Sequence, residues 1–376
     1  MRPIQMVDLK QQYSHIKTEV DAAIQDVITN TAFINGKAVT DFTGALATYL
    51  DVKHVIPCAN GTDALQIAMM ALDLQPGDEV ITPSFTYIAT TEVIALLKLK
   101  PVFVEVDPKT FCIDPAAIEA AITPKTKAIV PVHLYGQAAD MEKIMEIANK
   151  HNLAVIEDNA QAIGSDFTFS DGTTKKTGTI GTIGATSFFP SKNLGCYGDG
   201  GAIFTNDDAL AGKMKMIANH GQSKKYYHDV VGCNSRLDTI QAAVLNVKLP
   251  KLDEYIKARI AVADYYDNAF ANNEKISTPF RAEYSTHVFH QYTLILNGVD
   301  RDGLNAFLAE HNIPSMIYYP VPAHRQKMFE AFGGGDYKLE KTDWLTERVI
   351  SLPMHTEMEQ DQLELITSKV LEFVNR

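Results

Sequence analysis

The stretch Ser187-Phe-Phe-Pro-Ser-Lys-Asn-Leu-Gly-Cys-Tyr-Gly-Asp-Gly-Gly201 places one lysine, Lys192, in a glycine-rich run five residues after a serine. A lysine amine is normally protonated, but partial burial and cationic neighbours lower its pKa and make it a nucleophile. Such an amine can bond covalently to an aldehyde, as in pyridoxal phosphate (PLP) enzymes. Most lysines in loops are solvated surface residues, so this interpretation depends on the rest of the chain.

The segments around this run alternate between strand-like and helix-like patterns. Two strands are predicted beside it, at 185–189 and 201–205, with the glycines between them forming a tight turn. Upstream, the apolar pattern predicts strands at 79–82, 101–105, 128–132 and 153–156, and helices at 63–74, 91–99 and 139–151. Continuous apolar strands between helices are typical of parallel sheets with helices on both faces. The alternation therefore predicts an α/β layered domain with right-handed crossovers.

The second half of the chain predicts longer helices and only one clear strand. The strand is expected at 290–296, and the helices at 207–218, 238–249, 251–272, 301–311 and 360–375. Pro250 separates two of these helices and breaks the helical pattern. We therefore place the domain boundary there, which predicts a large domain over 1–250 and a smaller domain over 251–376.

The composition indicates a globular protein and excludes several classes of partner. The chain has 376 residues, 46% of them hydrophobic and 21% charged, with a formal net charge of −12. That charge argues against nucleic-acid or anionic-membrane binding, and no long apolar run predicts a membrane span. No signal peptide is visible, and the spacing of the four cysteines suggests neither a zinc site nor disulfides. We expect a cytoplasmic protein with reduced thiols and no metal site.

Asn60-Gly-Thr-Asp-Ala-Leu65 comes directly before an amphipathic helix. Gly61 allows a close backbone turn, and Thr62 can cap the helix. The free amide groups at a helix N-terminus bind phosphate well. An ordinary N-cap explains the same segment, so a phosphate site and a simple cap both remain open here.

Glu157-Asp158-Asn-Ala-Gln161 follows an apolar strand whose carboxyl end would face the ligand crevice of an open α/β sheet. Asp158 could hold a protonated ring nitrogen, and Gln161 could reach a ring hydroxyl, although a solvated strand end is the alternative. The Ser187 hydroxyl could donate to a phosphate. Arg236 could bind a substrate carboxylate or phosphate with its two parallel donors, while its polar neighbours could be helix caps.

Taken together, the chain resembles the DegT/DnrJ/EryC1/StrS family of sugar aminotransferases, from Ile34-Asn-Gly36 to about Pro353. The resemblance rests on five segments in the same order, starting at residues 60, 82, 157, 187 and 234: Asn-Gly-Thr-Asp-Ala-Leu, Thr-Pro-Ser-Phe-Thr-Tyr, Glu-Asp-Asn-Ala-Gln, Ser-Phe-Phe-Pro-Ser-Lys-Asn-Leu-Gly and Asn-Ser-Arg-Leu-Asp. It implies the α/β fold of fold-type I PLP aminotransferases. That fold has a large domain with a mostly parallel mixed sheet between helices and a smaller α+β C-terminal domain.

The resemblance also implies roles for individual residues. Lys192 would bond covalently to PLP, whose amino-bearing form is pyridoxamine phosphate, and Asp158 would pair with the pyridine nitrogen. The other implied cofactor contacts are Gln161 at the ring oxygen, Gly61, Thr62 and Ser187 at the phosphate, Tyr87 stacked on the ring, and Asn234 at the phosphate in a neighbouring subunit. A homodimer with shared active sites follows from the last of these contacts.

Residues 187–201 and 234–243 look most like the branch that acts on 3-keto nucleotide sugars, and within it like UDP-2-acetamido-2-deoxy-3-oxo-glucuronate aminotransferases. Glutamate is the implied amino donor, with 2-oxoglutarate as product, and Arg236 would contact the sugar carboxylate. Relatives often have histidine where this chain has Tyr318, which donates a hydrogen bond but carries no positive charge at pH 7. His324 could compensate for that charge.

Four other functions are left open by the sequence. They are amino transfer to a dTDP-3-keto sugar, amino transfer to a UDP-4-keto-6-deoxy sugar, PLP-dependent sugar dehydration, and a non-catalytic PLP-binding sensor. Dehydratases of this type carry histidine in place of the lysine, so Lys192 argues against dehydration.

Overall fold

The computed structural model describes residues 2–376. The α-helices are α1 (Leu9–Thr29), α2 (Lys37–Leu50), α3 (Gly61–Ala71), α4 (Ala89–Leu96), α5 (Pro115–Ala121), α6 (Met141–His151), α7 (Asp208–Ile217), α8 (Thr239–Lys248), α9 (Leu252–Phe270), α10 (Arg301–Glu310), α11 (Glu340–Thr346) and α12 (Gln360–Val374). The strands are β1 (His54–Cys58), β2 (Glu79–Pro83), β3 (Lys100–Val104), β4 (Thr126–Ile129), β5 (Ala154–Asp158), β6 (Asp166–Thr168), β7 (Thr174–Lys176), β8 (Ile183–Ser187), β9 (Gly201–Thr205), β10 (Gln222–Lys224), β11 (Tyr227–His228), β12 (Ile276–Ser277), β13 (Tyr292–Leu296) and β14 (Val349–Leu352).

A seven-stranded sheet forms the centre of the large domain, in the order β1-β9-β8-β5-β4-β2-β3. The pairs among β8, β5, β4, β2 and β3 are parallel, whereas β9 is antiparallel to both β1 and β8. The strands are short apolar runs that are buried on both faces, as expected for a sheet covered by helices. The carboxyl end of β5 brings Asp158 to the sheet edge where ligands bind in such folds.

Two hydrophobic clusters lie on opposite faces of this sheet. Successive residues of a strand point to opposite faces, so Val80 belongs to one cluster and its neighbour Ile81 to the other. One cluster includes residues of α3, α4 and α7, and the other includes residues of α5 and α6. The predicted fold class, an α/β domain with a mostly parallel mixed sheet between helices, is confirmed.

The C-terminal part contains a three-stranded antiparallel sheet, β12-β13-β14. A third hydrophobic cluster contains residues of this sheet and of α9, α10 and α12, together with Ile4 from the N-terminal segment. A 3₁₀ turn at Leu249–Lys251 separates α8 from α9 at the proposed boundary. We keep the division at residue 250 as a proposal, with residues 2–8 packing on the C-terminal side.

The apolar periodicity predicted the central elements to within a few residues but missed the N-terminal ones. Helices α1 and α2 and strand β1 were not predicted, and neither was β14. Strand β1 contains Pro57 and pairs only with β9, at the edge of the sheet, where a proline is tolerated. Among residues 2–376, no helix is both long and apolar enough to cross a membrane.

Candidate active site

The glycine-rich run forms a closed loop and not the tight turn predicted between its two strands. Ser187 at the end of β8 pairs with Gly201 at the start of β9, and the chain between them folds back on itself. The Phe188 carbonyl accepts the Cys196 amide at 2.8 Å, and the Lys192 amide donates to the Phe189 carbonyl at 2.8 Å. These bonds hold Lys192 in a loop of defined shape.

A buried lysine supports this loop from α8. Lys248 is 1% exposed, and its ammonium donates to the Gly195 carbonyl at 2.6 Å. Burial lowers its pKa to about 8, with a further contribution from the nearby charge of Arg259. A lysine buried without a carboxylate partner is rare, so its bond to Gly195 stands out as a specific tie to the loop.

The Lys192 amine has the properties that its proposed chemistry needs. Burial lowers its pKa from 10.5 to about 8, although the negative charge of Asp158 acts in the opposite direction. Among the described residues, the amine makes no hydrogen bond or ion pair. The structure therefore brings Lys192 and Asp158 together and leaves the amine free to react.

The Asp158 carboxylate is 5% exposed and is oriented by two donors. Its Oδ1 accepts the Ala160 amide at 3.1 Å, and its Oδ2 accepts the hydroxyl of Thr90 at 2.7 Å. Thr90 was missed by sequence reasoning. The signal for it was the spacing of Thr86 in the motif and Thr90 in α4, which are four residues apart.

Gly61 and Ser187 are in contact where α3 begins. A methyl group at Gly61 would lie 2.7 Å from the Ser187 Cβ, so only glycine fits. The helix is capped by Asn60, whose Oδ1 accepts the Asp63 amide at 2.8 Å, and not by Thr62 as predicted. Because Asn60 takes the Asp63 amide, the amides at Gly61 and Thr62 are left for an anion next to the Ser187 hydroxyl.

Gln161 lies at the same edge of the sheet, and its side-chain amide forms hydrogen bonds with two tyrosines. Its Oε1 accepts the Tyr135 amide at 2.7 Å, and its Nε2 donates to the Tyr319 hydroxyl at 3.1 Å. One further N–H of this amide remains for a ligand. Tyr87 is 57% exposed, and its ring centroid lies 6.2 Å from that of Tyr319. These contacts bring Gln161 and Tyr87 to a common tyrosine.

Arg236 and Asn234 lie on the segment that precedes α8. The Ser235 hydroxyl accepts the Ala59 amide at 3.0 Å, which holds this segment against the loop before α3. Arg236 donates to the Asn219 side chain at 2.9 Å, while its Nε is buried with no hydrogen-bond partner in the described part of the chain. The Asn234 side chain is exposed. An arginine with a buried, unpartnered N–H is suited to an anionic ligand.

Tyr318 and His324 occupy different environments. Tyr318 is half-buried, and burial raises the pKa of its hydroxyl, so it stays neutral at pH 7. His324 is 2% exposed and is joined to the Ser84 hydroxyl through Nδ1 at 2.7 Å. Burial lowers the pKa of His324 in spite of the Asp343 carboxylate. The structure thus places His324 against Ser84 as a neutral ring, and not as a cation that would replace the charge missing at Tyr318.

Comparisons with known proteins identify the family of the chain. The model of the DegT/DnrJ/EryC1/StrS aminotransferase family matches residues 14–371. The chain belongs to this family. It is 47% identical over 363 residues to the UDP-2-acetamido-2-deoxy-3-oxo-D-glucuronate aminotransferase of Pseudomonas aeruginosa, covering 96% of this chain and 98% of that protein. It is 46% identical over 372 residues to a "pleiotropic regulatory protein" of Geobacillus stearothermophilus, covering 98% of each.

A crystal structure of a DegT/DnrJ/EryC1/StrS aminotransferase from Brucella abortus has the same fold. Its TM-score is 0.93 at 39% identity, covering 99% of this chain and 100% of that one. The predicted family, enzyme class and cofactor are confirmed, because this is a family of PLP-dependent aminotransferases.

The residues of this family member fit the cofactor. The free amine of Lys192, the carboxylate of Asp158 and the anion site at Gly61 and Ser187 provide the three kinds of contact that PLP requires. When bound, PLP supplies an electron sink for negative charge that develops on an amino acid Cα. Asp158 would hold the ring-nitrogen proton, and Lys192 would hold the aldehyde carbon.

Proposed function

We propose that this aminotransferase moves the amino group of glutamate to a keto nucleotide sugar. The observation that carries the proposal is the unpaired Lys192 amine beside Asp158, with its pKa lowered to about 8. Because this amine is readily neutral, it can take a proton from the glutamate Cα and later deliver one to the sugar carbon that receives nitrogen. General acid–base transfer of this kind contributes roughly 10²–10⁴-fold to the rate.

The proposed acceptor is C3 of UDP-2-acetamido-2-deoxy-3-oxo-glucuronate. The Pseudomonas relative named for that substrate supports it. Arg236 offers an unpartnered Nε and so fits the sugar carboxylate. The neutral Tyr318 and His324 supply no second cation, which keeps a dTDP-3-keto or UDP-4-keto-6-deoxy sugar as the alternative acceptor.

We also propose a cytoplasmic homodimer in which Asn234 contacts the cofactor phosphate of the partner subunit. Asn234 is exposed, and the neighbouring segment carries exposed apolar side chains that suit an interface. Among them, Tyr226 is 79% exposed and Val231 is 83% exposed. The oligomeric state is measured by analytical ultracentrifugation of the cofactor-bound protein, and a monomer with full activity contradicts the shared site.

The acceptor is tested with the pyridoxamine phosphate form of the enzyme. A panel of UDP- and dTDP-linked 3-keto and 4-keto sugars is offered, and the amino sugars formed are identified by mass spectrometry. We expect the fastest single turnover with the 3-oxo-glucuronate nucleotide. Faster turnover of an uncharged 3-keto or 4-keto sugar selects the alternative acceptor.

Arg236 is tested by separating the two half-reactions. For Arg236→Ala we expect KM for the acidic sugar to rise about tenfold or more, because a charge-assisted contact is lost. The half-reaction with glutamate should change little. Arg236→Lys keeps the positive charge but lacks the two parallel donors of the guanidinium, so it should recover only part of the affinity. Equal damage to both half-reactions assigns Arg236 to the cofactor or the amino donor.

The sensor alternative is tested with Lys192→Ala. We expect this variant to fold, to lose the yellow colour of covalently held PLP, and to give no turnover. The Geobacillus relative is named as a regulatory protein, so a sensor would show PLP binding without amino transfer. Wild-type protein that turns yellow with PLP, and whose colour is unchanged by every amino donor, favours the sensor over the enzyme.

A further inference from the structure

Thr90 is the buried partner of Asp158. It lies in the first turn of α4 and is 0% exposed, and its hydroxyl contacts Asp158 Oδ2 at 2.7 Å across 68 residues of sequence. Among residues 2–376, its one other side-chain hydrogen bond joins it to the hydroxyl of Thr86 at 3.2 Å, and Thr86 is 4% exposed. The two hydroxyls form a short chain that ends on the carboxylate and is shielded from water.

The direction of the protons in this chain follows from the donor inventory. An ionised carboxylate only accepts hydrogen bonds, so Thr90 must donate its single hydroxyl proton to Asp158. Thr90 therefore accepts from Thr86. Hydrogen bonds aligned in this way strengthen one another in a site of low dielectric, and a donor to a carboxylate favours its ionised form.

We propose that Thr90 is a positioning residue that keeps the Asp158 carboxylate aimed at the ring nitrogen of the cofactor. The inference rests on the proposed role of Asp158. Two donors, Thr90 and the Ala160 amide, account for one acceptor site on each carboxylate oxygen. Without Thr90, the carboxylate loses the donor that fixes its Oδ2 and would pair less well with the ring-nitrogen proton. The electron sink is then weaker, although every residue that touches the cofactor is intact.

The test compares Thr90→Val, which has the same shape without the donor, with Thr90→Ser, which keeps it. Thr91→Val is the matched control. Thr91 is equally buried on the same helix, but its hydroxyl donates to the Ile88 carbonyl at 2.9 Å and not to Asp158. The holoenzymes are reconstituted with ¹⁵N-labelled PLP. The ring-nitrogen chemical shift is measured by solid-state NMR, and the glutamate half-reaction by stopped flow.

For Thr90→Val we expect the ¹⁵N shift to move toward that of unprotonated pyridine. The half-reaction should slow by about tenfold, the typical effect of losing a donor to a charged group. Thr90→Ser and Thr91→Val should keep the wild-type shift and stay within about twofold of the wild-type rate. The inference is overturned if Thr90→Val matches Thr91→Val in both measurements.

A double-mutant cycle with Asp158→Asn separates positioning from a general structural effect. We expect Thr90→Val to slow the Asp158→Asn enzyme far less than it slows the wild type. An equal loss in both backgrounds shows that Thr90 only supports the fold. If Asp158→Asn itself leaves the ring nitrogen protonated and the rate unchanged, the proposed role of Asp158 fails. If Asp158→Asn changes the ¹⁵N shift and the rate but Thr90→Val changes neither, this inference fails and the proposed role of Asp158 stands.

Discussion

Lys192 should react as a neutral amine in solutions where the solvated lysines of the chain are protonated. Its pKa is lowered from 10.5 to about 8, chiefly by burial. Well below pH 8, a shift of this size increases the neutral fraction by about 300-fold. Because Asp158 raises this pKa, Asp158→Asn should lower it further and increase the reactivity in neutral solution. Asp199→Asn is the control, since it removes an exposed carboxylate from the same loop.

The assay is reductive methylation of cofactor-free protein with formaldehyde and cyanoborohydride. Short pulses are applied across a pH series, and the Lys192 peptide is quantified by mass spectrometry against that of the exposed Lys10. We expect the pH profile of Lys192 to level off near its pKa, well before that of a solvated amine. Parallel profiles for the two lysines would refute the lowered pKa. A slower reaction in Asp158→Asn would refute the sign of the carboxylate's effect.

Three further outcomes are expected. Gly61→Ala should weaken PLP binding measured by fluorescence titration, because its methyl group would press on Ser187, and unchanged affinity would contradict this contact. Asn60→Ala should lower the free energy of unfolding by about 1 kcal/mol, measured by urea denaturation, through loss of the helix cap. Burial lowers the pKa of Lys248 to about 8 in the folded state, against 10.5 for a solvated lysine, so the free energy of unfolding should rise with pH in this interval. In Lys248→Met, the slope of the unfolding free energy against pH should fall by up to ~1.4 kcal/mol per pH unit. Loss of the bond to the Gly195 carbonyl would lower stability at every pH but does not change this slope. An unchanged slope would contradict the lowered pKa.

The central sheet was predictable because its strands are short apolar runs with helices between them. Periodicity located β2, β3, β5 and β9 to within one or two residues. It did not indicate β1, whose only partner lies far along the chain in β9. It also took the run after Ser187 for a tight turn, because glycines mark loops without specifying how they close.

The site was predictable only as a set of separate groups. Motif spacing identified Lys192 and Asp158, but the contacts that build the rest of the site join distant parts of the chain. The bond from Gln161 to Tyr319 spans 158 residues, and the bond from Lys248 to the loop spans 53. Local patterns cannot indicate such contacts, since each side chain is polar and unremarkable in its own segment.

The sequence by itself determined which chemical groups the protein has and in what order, and so the family to which it belongs. A reactive amine, a carboxylate after a strand and a glycine before a helix can be recognised from residues close together in the chain. Only the tertiary structure decided that the Lys192 amine has a lowered pKa and no partner, that Thr90 holds the carboxylate, and that His324 is neutral. Burial and the distance to other charges set these properties, and both depend on how remote segments pack.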